Sequence, residues 1–435
     1  MNNSEKHKVI VIGAGAAGMM AAIAAAEEGK SVVILEKNEK AGKKIFITGK
    51  GRCNLTTACP SEEFLSNVVT NPKFLYSSFE NFTNQDMMKW VQERGLKIKV
   101  ERGQRVFPQS DHSSDVIRVL EQECRRLGVR ITYHAQVEEI LTEDLPVSEE
   151  TEGKKCKKPI QTKHFLGVRL DDGKMIKADS LIIATGGKSY QATGSTGDGY
   201  HFAREIGHKI KEPQPSLVPF TVREGWPRSL QGLSLRNISI KIKHKKKILY
   251  EGFGEFLFTH FGVSGPLVLT ASTQMGGKNW KLLNSGELVL NLDLKPALDM
   301  ETLERRFLRE FDTFRNKNVA NVTSQLLPKK MVKVFLNLVE IPEDKKVRDI
   351  TKEERRRMVE TMKDIPMHLT GVRGFSEAIV TRGGVSTREV NPTTMESKLA
   401  RNVYFAGEVL DVDAVTGGFN LQIAWSTGRT AGHYA

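Results

Sequence analysis

Apolar residues run without interruption from Val9 to Ile12 and stop at Gly13. A short β-branched run of this kind predicts a parallel strand buried on both faces. Ala16 to Glu28 is alanine-rich and free of proline, which predicts a helix, and Gly29 stands where its C-terminal stop belongs. Ser31 to Leu35 reads as the second strand, closed by Glu36. Farther on, "VRITYHAQVEEI" (129–140) signals a pair of strands, and Asp171-Asp172-Gly173 a turn. Leu181 to Ala184 is another buried strand, ending in Thr185-Gly186-Gly187. Between these lies "EDLPVSEETEGKKCKKPIQTK" (143–163), too polar for a core and expected as an exposed hairpin extension. The chain closes with a strand, Val403 to Ala406, and a helix from about Asn420, led in by Gly417 and Gly418.

The pattern changes in the middle. "PQPSLVPF" (213–220) reads as a proline-rich crossing, followed by strand-like alternation to about Leu292. Then come two charged, helical stretches, "METLERRFLREFDTF" (300–314) and "KKMVKVFLNLVEI" (329–341). This predicts an α/β domain of residues 1–212 and 367–435, interrupted by a mixed α+β insert of residues 213–366. No internal repeat is evident.

Gly13, Gly15 and Gly18 fall in G-x-G-x-x-G spacing between a strand and a helix. The first glycine permits the turn, the second lets backbone approach a pyrophosphate, and the third lets helix and strand pack closely. The helix N-terminus then offers unpaired N–H groups to phosphate. Glu36 lies 18 residues past Gly18, about where a carboxylate meets ribose hydroxyls, and its charge disfavours a 2′-phosphate. The ligand is therefore FAD or NAD. "GKKIFITGKGRCNLT" (42–56) is a glycine-rich basic loop suited to run along a pyrophosphate and a ring system. Arg52 offers a fork to phosphate and Asn54 an amide to a ring edge, with Ile45, Phe46 and Ile47 as the apolar anchor. The C-terminal helix, with its glycine lead-in, is a second place to stabilise negative charge.

Length and composition narrow the class. The 435 residues suffice for two domains, and no apolar run reaches the roughly 18 residues needed to span a bilayer. The first apolar stretch is already used as strand, turn and helix, so no signal peptide is expected and the compartment reads as cytoplasmic. Cys53, Cys59, Cys124 and Cys156 form no C-x-x-C, which argues against a dithiol flavoenzyme and against a zinc site. Net charge is +13. Its densest cluster, "KIKHKKK" (241–247), follows Ile238 and Ile240 in alternation and reads as a strand with a basic outer face. Without interleaved aromatic residues such a patch is usually a solvated face, so nucleic acid is the lesser expectation.

"VIGAGAAGMMAA", "GKKIFITGKGRCN", "ATGG", "TGSTGDGY", "FTHFGVSGP" and "AGEVLDVDAVTGGFNLQIAWSTG" occur in this order over nearly the whole chain. Together they resemble the flavoproteins called BaiN-like or HI0933-like NAD(P)/FAD-dependent oxidoreductases. The resemblance implies a Rossmann-like FAD-binding domain of the glutathione reductase type with a family-specific insert. It also implies tightly, noncovalently held FAD and a flavin-mediated hydride or electron transfer. The ADP part would lie along Gly13, Gly15, Ala16, Ala17, Gly18, Glu36 and Lys37, with Lys43, Gly51, Arg52, Cys53 and Asn54 in the adjoining loop. Val137 would touch adenine through its backbone; Ala184, Thr185 and Gly186 would pass the pyrophosphate. The ring would lie by Gly407 to Gln422, with Glu408 near the ribityl chain and the N–H groups after Gly418, on Phe419, Asn420 and Leu421, at the pyrimidine edge. Asp198, in "TGSTGDGY", fits a motif of fumarate-reductase-like flavoproteins and equally a plain helix cap before Tyr200–Ile206. The glycines of "TRGGVS" (381–386) would let backbone approach the ring.

Relatives of this kind are assigned as reducers of steroid-like enones and as amine oxidases. The expected substrate is a small organic molecule; because a second G-x-G-x-x-G is missing, either NAD(P)H docks transiently as the reductant or the enzyme is an oxidase using oxygen. An amine oxidase and an RNA-modifying flavoprotein are the alternatives. Tyr190, His260 and Arg382 are the proton-donor or substrate-contact candidates. The turn of "FTHFGVSGP" is expected to reach toward the flavin.

Overall fold

The structure is a computed structural model that describes residues 6–146 and 161–435, apart from the side chain of Lys278. The chain divides into two compact units, residues 1–216 with 375–435, and residues 217–374.

The larger unit is built on a five-stranded parallel sheet. Its order is Val403–Phe405, Ser180–Ile183, Lys8–Ile12, Ser31–Leu35, Arg130–Thr132. The β-branched runs are buried on both faces, as parallel strands require: Val9, Ile10, Val11 and Leu181 to Ile183 are all sealed from solvent. The helices Ala16–Glu27 and Phe419–Tyr434 pack together on this sheet. Small residues make that approach possible. A Cβ on Gly428 would stand 2.5 Å from the carbonyl oxygen of Ala17, and one on Gly432 would stand 2.0 Å from that of Ala21. A second sheet pairs Val137–Asp144 with Lys163–Leu170, so the polar stretch between them is indeed flanked by a hairpin; residues 147–160, including Cys156, lie outside the described residues.

The strand Ile210–Ser216 pairs antiparallel with Val380–Val385. "PQPS" is thus part of a strand rather than a bare crossing. Pro213 falls in the register shift between Lys211 and Gln214, where a missing N–H removes no ladder bond. Gly383 and Gly384 serve this region too. Their Cβ atoms would meet the carbonyl oxygens of Glu212 and Val409 at 2.4 and 2.5 Å, so their smallness answers to the chain's own backbone.

The smaller unit is a closed six-stranded barrel, ordered Phe220–Val222, Gly262–Ser264, Lys247–Phe258, Ser234–His244, Leu288–Asp293, Ile365–Val372. The alternation of Ser234–His244 turns Ile238, Ile240 and Ile242 inward against Phe256, Leu290 and Leu292. Helices Met300–Thr313 and Lys329–Leu338 occur where the charged, amphipathic stretches predict them. Pro266–Met275 is also a helix, inside the stretch expected to be all strand. Its Val-Leu-Thr-Ala-Ser-Thr sequence carries no polar face to betray the helical period, and tertiary packing overrides the local preference.

Candidate functional site

The carboxyl ends of the parallel strands gather the motif residues along one edge. Gly13 follows Lys8–Ile12, Glu36 follows Ser31–Leu35, Ala184 and Thr185 follow Ser180–Ile183, and Gly407 follows shortly after Val403–Phe405. This is the edge at which open α/β sheets bind ligands.

The three glycines of the first turn separate by role. Gly13 has φ +101°, and a Cβ there would stand 2.7 Å from the Ala184 carbonyl oxygen. A Cβ on Gly18 would stand 1.9 Å from the Gly13 oxygen. Both are demanded by the fold. Gly15 is different: its φ is −88°, and a Cβ there would meet nothing within 4 Å. The chain itself does not require a glycine at 15. The open space beside Gly15 leaves that backbone accessible, as the approach of a pyrophosphate would need.

Glu36 is buried, and its carboxylate accepts from the Ala14 N–H at 2.8 Å, the Asn38 N–H at 2.9 Å and the Asn38 amide at 2.6 Å. It clamps the glycine turn to the second strand as well as standing where ribose is expected. Lys37 turns to Asp198 (2.6 Å) and Thr196 (2.6 Å), and Lys43 to Asn38 and Glu39. The helix beyond begins at Asp198 itself, with Gly197 as its cap residue. Asp198 is therefore not a plain N-cap; it is a first-turn carboxylate held by Lys37, and Gly199 keeps room for the Thr185 hydroxyl.

The loop after the second strand also differs from expectation. Lys43–Ile47 is a short helix, and only Ile45 anchors it; Phe46 and Ile47 are exposed. The Arg52 guanidinium lies over the Phe107 ring and pairs with Glu101 and Asp111, which raise its pKa through their hydrogen bonds. That fork is taken by carboxylates, so it is not aimed at phosphate. The Asn54 amide is engaged by the chain's own backbone. In the amide orientation that satisfies both ends, its oxygen accepts from the Gly418 N–H at 3.0 Å and its nitrogen donates to the Thr56 and Val106 carbonyls. Cys53 is fully buried with φ +57°, and burial pushes its thiol up to about 12. A thiol held protonated is a poor nucleophile for covalent attachment. Gly51 has φ +84° with open space beside it.

The C-terminal helix starts at Phe419 after Gly418, whose φ is +97° and whose Cβ would stand 2.3 Å from the Thr56 oxygen. Asn420 holds the preceding loop through Ala414 and Val415. Thr56 donates to buried Gln422 at 2.8 Å, and Trp425 donates to the Leu55 carbonyl at 3.0 Å. Residues 54–56 thus brace the first turns of this helix. Gly407 is explained by packing, since a Cβ there would touch that of Ala17 at 2.7 Å. Val137 is a buried residue at the start of its strand.

Glu408 is the hub of a network that pattern reading missed. It accepts from Lys44 (2.6 Å), Ser189 (2.8 Å) and the Thr381 N–H (2.8 Å). Lys44 and Ser189 stand inside or beside the quoted motifs, so a charged and a hydroxyl residue flanking "GK" and "ATGGK" were the available signal. Arg382 is half-buried and turns to Asp413 (3.3 Å) and Thr70 (3.2 Å). Tyr190 sits half-buried beside Ser189 in left-handed backbone, φ +54°, and burial together with Glu377 raises its phenol pKa. His260, in the smaller unit, is exposed in the turn that Thr259 closes onto Gly262.

Comparison with known proteins now decides the family. The profile of the HI0933-like protein Rossmann domain matches residues 7–434. The chain belongs to the HI0933-like family. The 3-dehydro-bile acid delta(4,6)-reductase of Clostridium scindens is 30% identical over 431 residues, 99% of each chain. The ribosomal RNA dihydrouridine synthase of Escherichia coli is 30% identical over 426 residues, 97% of this chain and 96% of that one. The fold is shared with 3-ketosteroid delta1-dehydrogenase from Sterolibacterium denitrificans, with a TM-score of 0.51 at 13% identity and 98% of each chain covered. As a member of the HI0933-like family the chain is an FAD-dependent oxidoreductase. The glycine turn, with room left only at Gly15, the Glu36 carboxylate and the free N-terminus of the last helix fit that cofactor. No helix among the described residues is long and apolar enough to cross a membrane.

Proposed function

We propose that this flavoenzyme reduces a carbon–carbon double bond conjugated to a carbonyl, and that its substrate is the uracil ring of a uridine in RNA. The two relatives differ in substrate but share this reacting group. A 3-oxo bile acid with ring unsaturation is an enone, and saturating uracil to dihydrouracil reduces C5=C6 beside the C4 carbonyl. One carbon takes a hydride and its neighbour a proton; a reduced nicotinamide that docks transiently supplies the two electrons. FAD, held by the turn Gly13–Gly18, Glu36 and the N-terminus of the last helix, would supply the hydride-transfer chemistry.

The observation that favours RNA is where the charge lies. Residues 217–374 hold 28 Lys and Arg against 18 Asp and Glu, a net +10 of the total +13, leaving +3 for the other 277 residues. A small substrate does not call for a positive excess spread over a whole unit. A polyanion does.

The chain's own residues divide the remaining work. The Phe419–Tyr434 helix directs its N-terminal N–H groups and positive dipole end toward developing negative charge. Tyr190 keeps its proton over the physiological range, because burial and Glu377 both raise its pKa, and is our assignment for the proton donor. Its left-handed backbone is a strained placement of the kind found at functional positions. The enzyme should be reduced anaerobically and then offered RNA or a steroid enone. Reoxidation of the bleached flavin by RNA supports the reading; reoxidation by the enone alone would transfer the assignment to a small substrate. Tyr190→Phe should slow that reoxidation about 10²-fold or more while retaining FAD. Unchanged rates would remove Tyr190 from the role.

A further inference from the structure

The barrel hairpin formed by Ser234–His244 and Lys247–Phe258 carries an exposed surface that its own fold does not use. Its tip is Lys245-Lys246-Lys247, all exposed, with Lys245 at φ +55°. A lysine in left-handed backbone at a tight turn is an unfavourable choice where Gly or Asn would sit without strain. None of the three lysines has an ion-pair partner among the described residues. Two neighbouring residues have carboxylate partners. Lys241 pairs with Glu251 across the strands at 3.1 Å, and His244 faces Glu287 at 2.9 Å.

The same hairpin exposes apolar side chains. Phe253 is 59% exposed, directly across from Ser239, and Ile248 is 46% exposed, across from Lys243. Cross-strand partners project to the same face, so Phe253 shares the outer face with Ser239 while Ile240 and Ile242 fill the barrel. Phe253 stands six residues of register from the tip, about 20 Å at the rise of a strand. The aromatic side chain missing from the basic run itself is thus supplied by the partner strand. Glu255, on the same strand, is the remaining carboxylate of this stretch.

We infer that this hairpin is an RNA-docking surface, on which Lys245, Lys246 and Lys247 meet phosphates and Phe253 stacks on an unpaired base. Unpaired ammonium groups at a protruding tip match a phosphate backbone, and a lone exposed ring matches the sequence-tolerant stacking of single-stranded nucleotides. The inference rests on the reading of RNA as substrate.

The test uses the FAD-loaded full chain and ribosomal RNA from cells lacking it. Binding is measured against salt, and dihydrouridine is measured by nucleoside mass. Compared are the wild type, the triple variant Lys245→Gln, Lys246→Gln, Lys247→Gln, and Phe253→Ala. FAD content and melting temperature serve as folding controls. The triple variant should bind at least tenfold more weakly near 0.15 M salt, and its log K against log salt slope should fall by about 2 to 3. Phe253→Ala should weaken binding about tenfold with little change in slope. Charge reversal at Lys246 alone, Lys246→Glu, gives a second and milder variant should the triple one fold poorly. If wild type forms dihydrouridine and the variants bind and turn over equally, the hairpin inference is overturned while the substrate reading stands. If wild type forms none, the substrate reading fails and this inference fails with it.

Discussion

Gly15 and Gly18 sit three residues apart, and alanine should do different harm at each. At 18 the added methyl collides with the Gly13 carbonyl, so Gly18→Ala should lower stability by several kcal/mol, within the range of overpacking and backbone strain. At 15 the methyl enters open space. Gly15→Ala should leave the melting temperature of apoprotein nearly unchanged and weaken FAD tenfold or more, read by flavin fluorescence on titration. Equal loss of stability in both variants would deny that a ligand explains Gly15. His208 gives a pH signature. It is buried, its Nε2 lies 2.7 Å from the Ser397 hydroxyl, and burial pushes its pKa down to about 4. Ser397 already accepts from Leu399 and Ala400, so its own proton goes to the imidazole, which must stay neutral. The unfolded chain takes that proton near 6.5. The folded pKa is thus depressed, and unfolded molecules bind more protons in the interval. Stability from this site is full above about 6.5 and is lost as pH falls toward 4, by up to about 3 kcal/mol. His208→Gln should flatten that limb of the acid-stability curve; an unaltered limb would place the titration elsewhere. Residue roles such as these were only half legible. Glu36 and the glycines could be read because they fall in one motif of fixed spacing, whereas Arg52 and Arg382 owe their roles to Glu101, Asp111 and Asp413, which no local pattern ties to them.

The N-terminal and C-terminal helices share a seam of small residues, and each is led in by a glycine turn at the proposed cofactor site. Gly428→Ala and Gly432→Ala would both push a methyl into the backbone of Ala16–Glu27. Either should lower stability by about 1–3 kcal/mol and reduce bound FAD, because separating the helices separates the two ends of the site. Full FAD content at wild-type stability would contradict that coupling, and both quantities follow from one melt monitored by flavin fluorescence and circular dichroism. The parallel strands were legible because burial on both faces leaves unbroken β-branched runs. The barrel was not, because its closure depends on pairings such as Phe220–Val222 with Ile365–Val372, about 150 residues apart. Pro266–Met275 escaped because its few polar residues, Thr270, Ser272, Thr273 and Gln274, do not gather on one face to mark a helical period.

Across the whole molecule, charge is divided unevenly between the units. The larger unit is close to neutral, and the barrel unit carries most of the positive charge. The substrate reading joins those two facts: redox chemistry from one unit and polyanion recognition from the other. Net charge was visible in the sequence from the start, but its meaning depended on the unit boundaries and on Phe253, which only the folded hairpin places on the same outer surface as the basic run. The most direct measurement is the nucleoside composition of ribosomal RNA, taken from cells lacking this chain and incubated with the FAD-loaded protein and NADH or NADPH. The account predicts one or more uridines gaining the mass of two hydrogens, with one nicotinamide oxidised per dihydrouridine formed. Ribosomal RNA whose uridines stay unchanged, while the same preparation oxidises nicotinamide with a steroid enone, would contradict it.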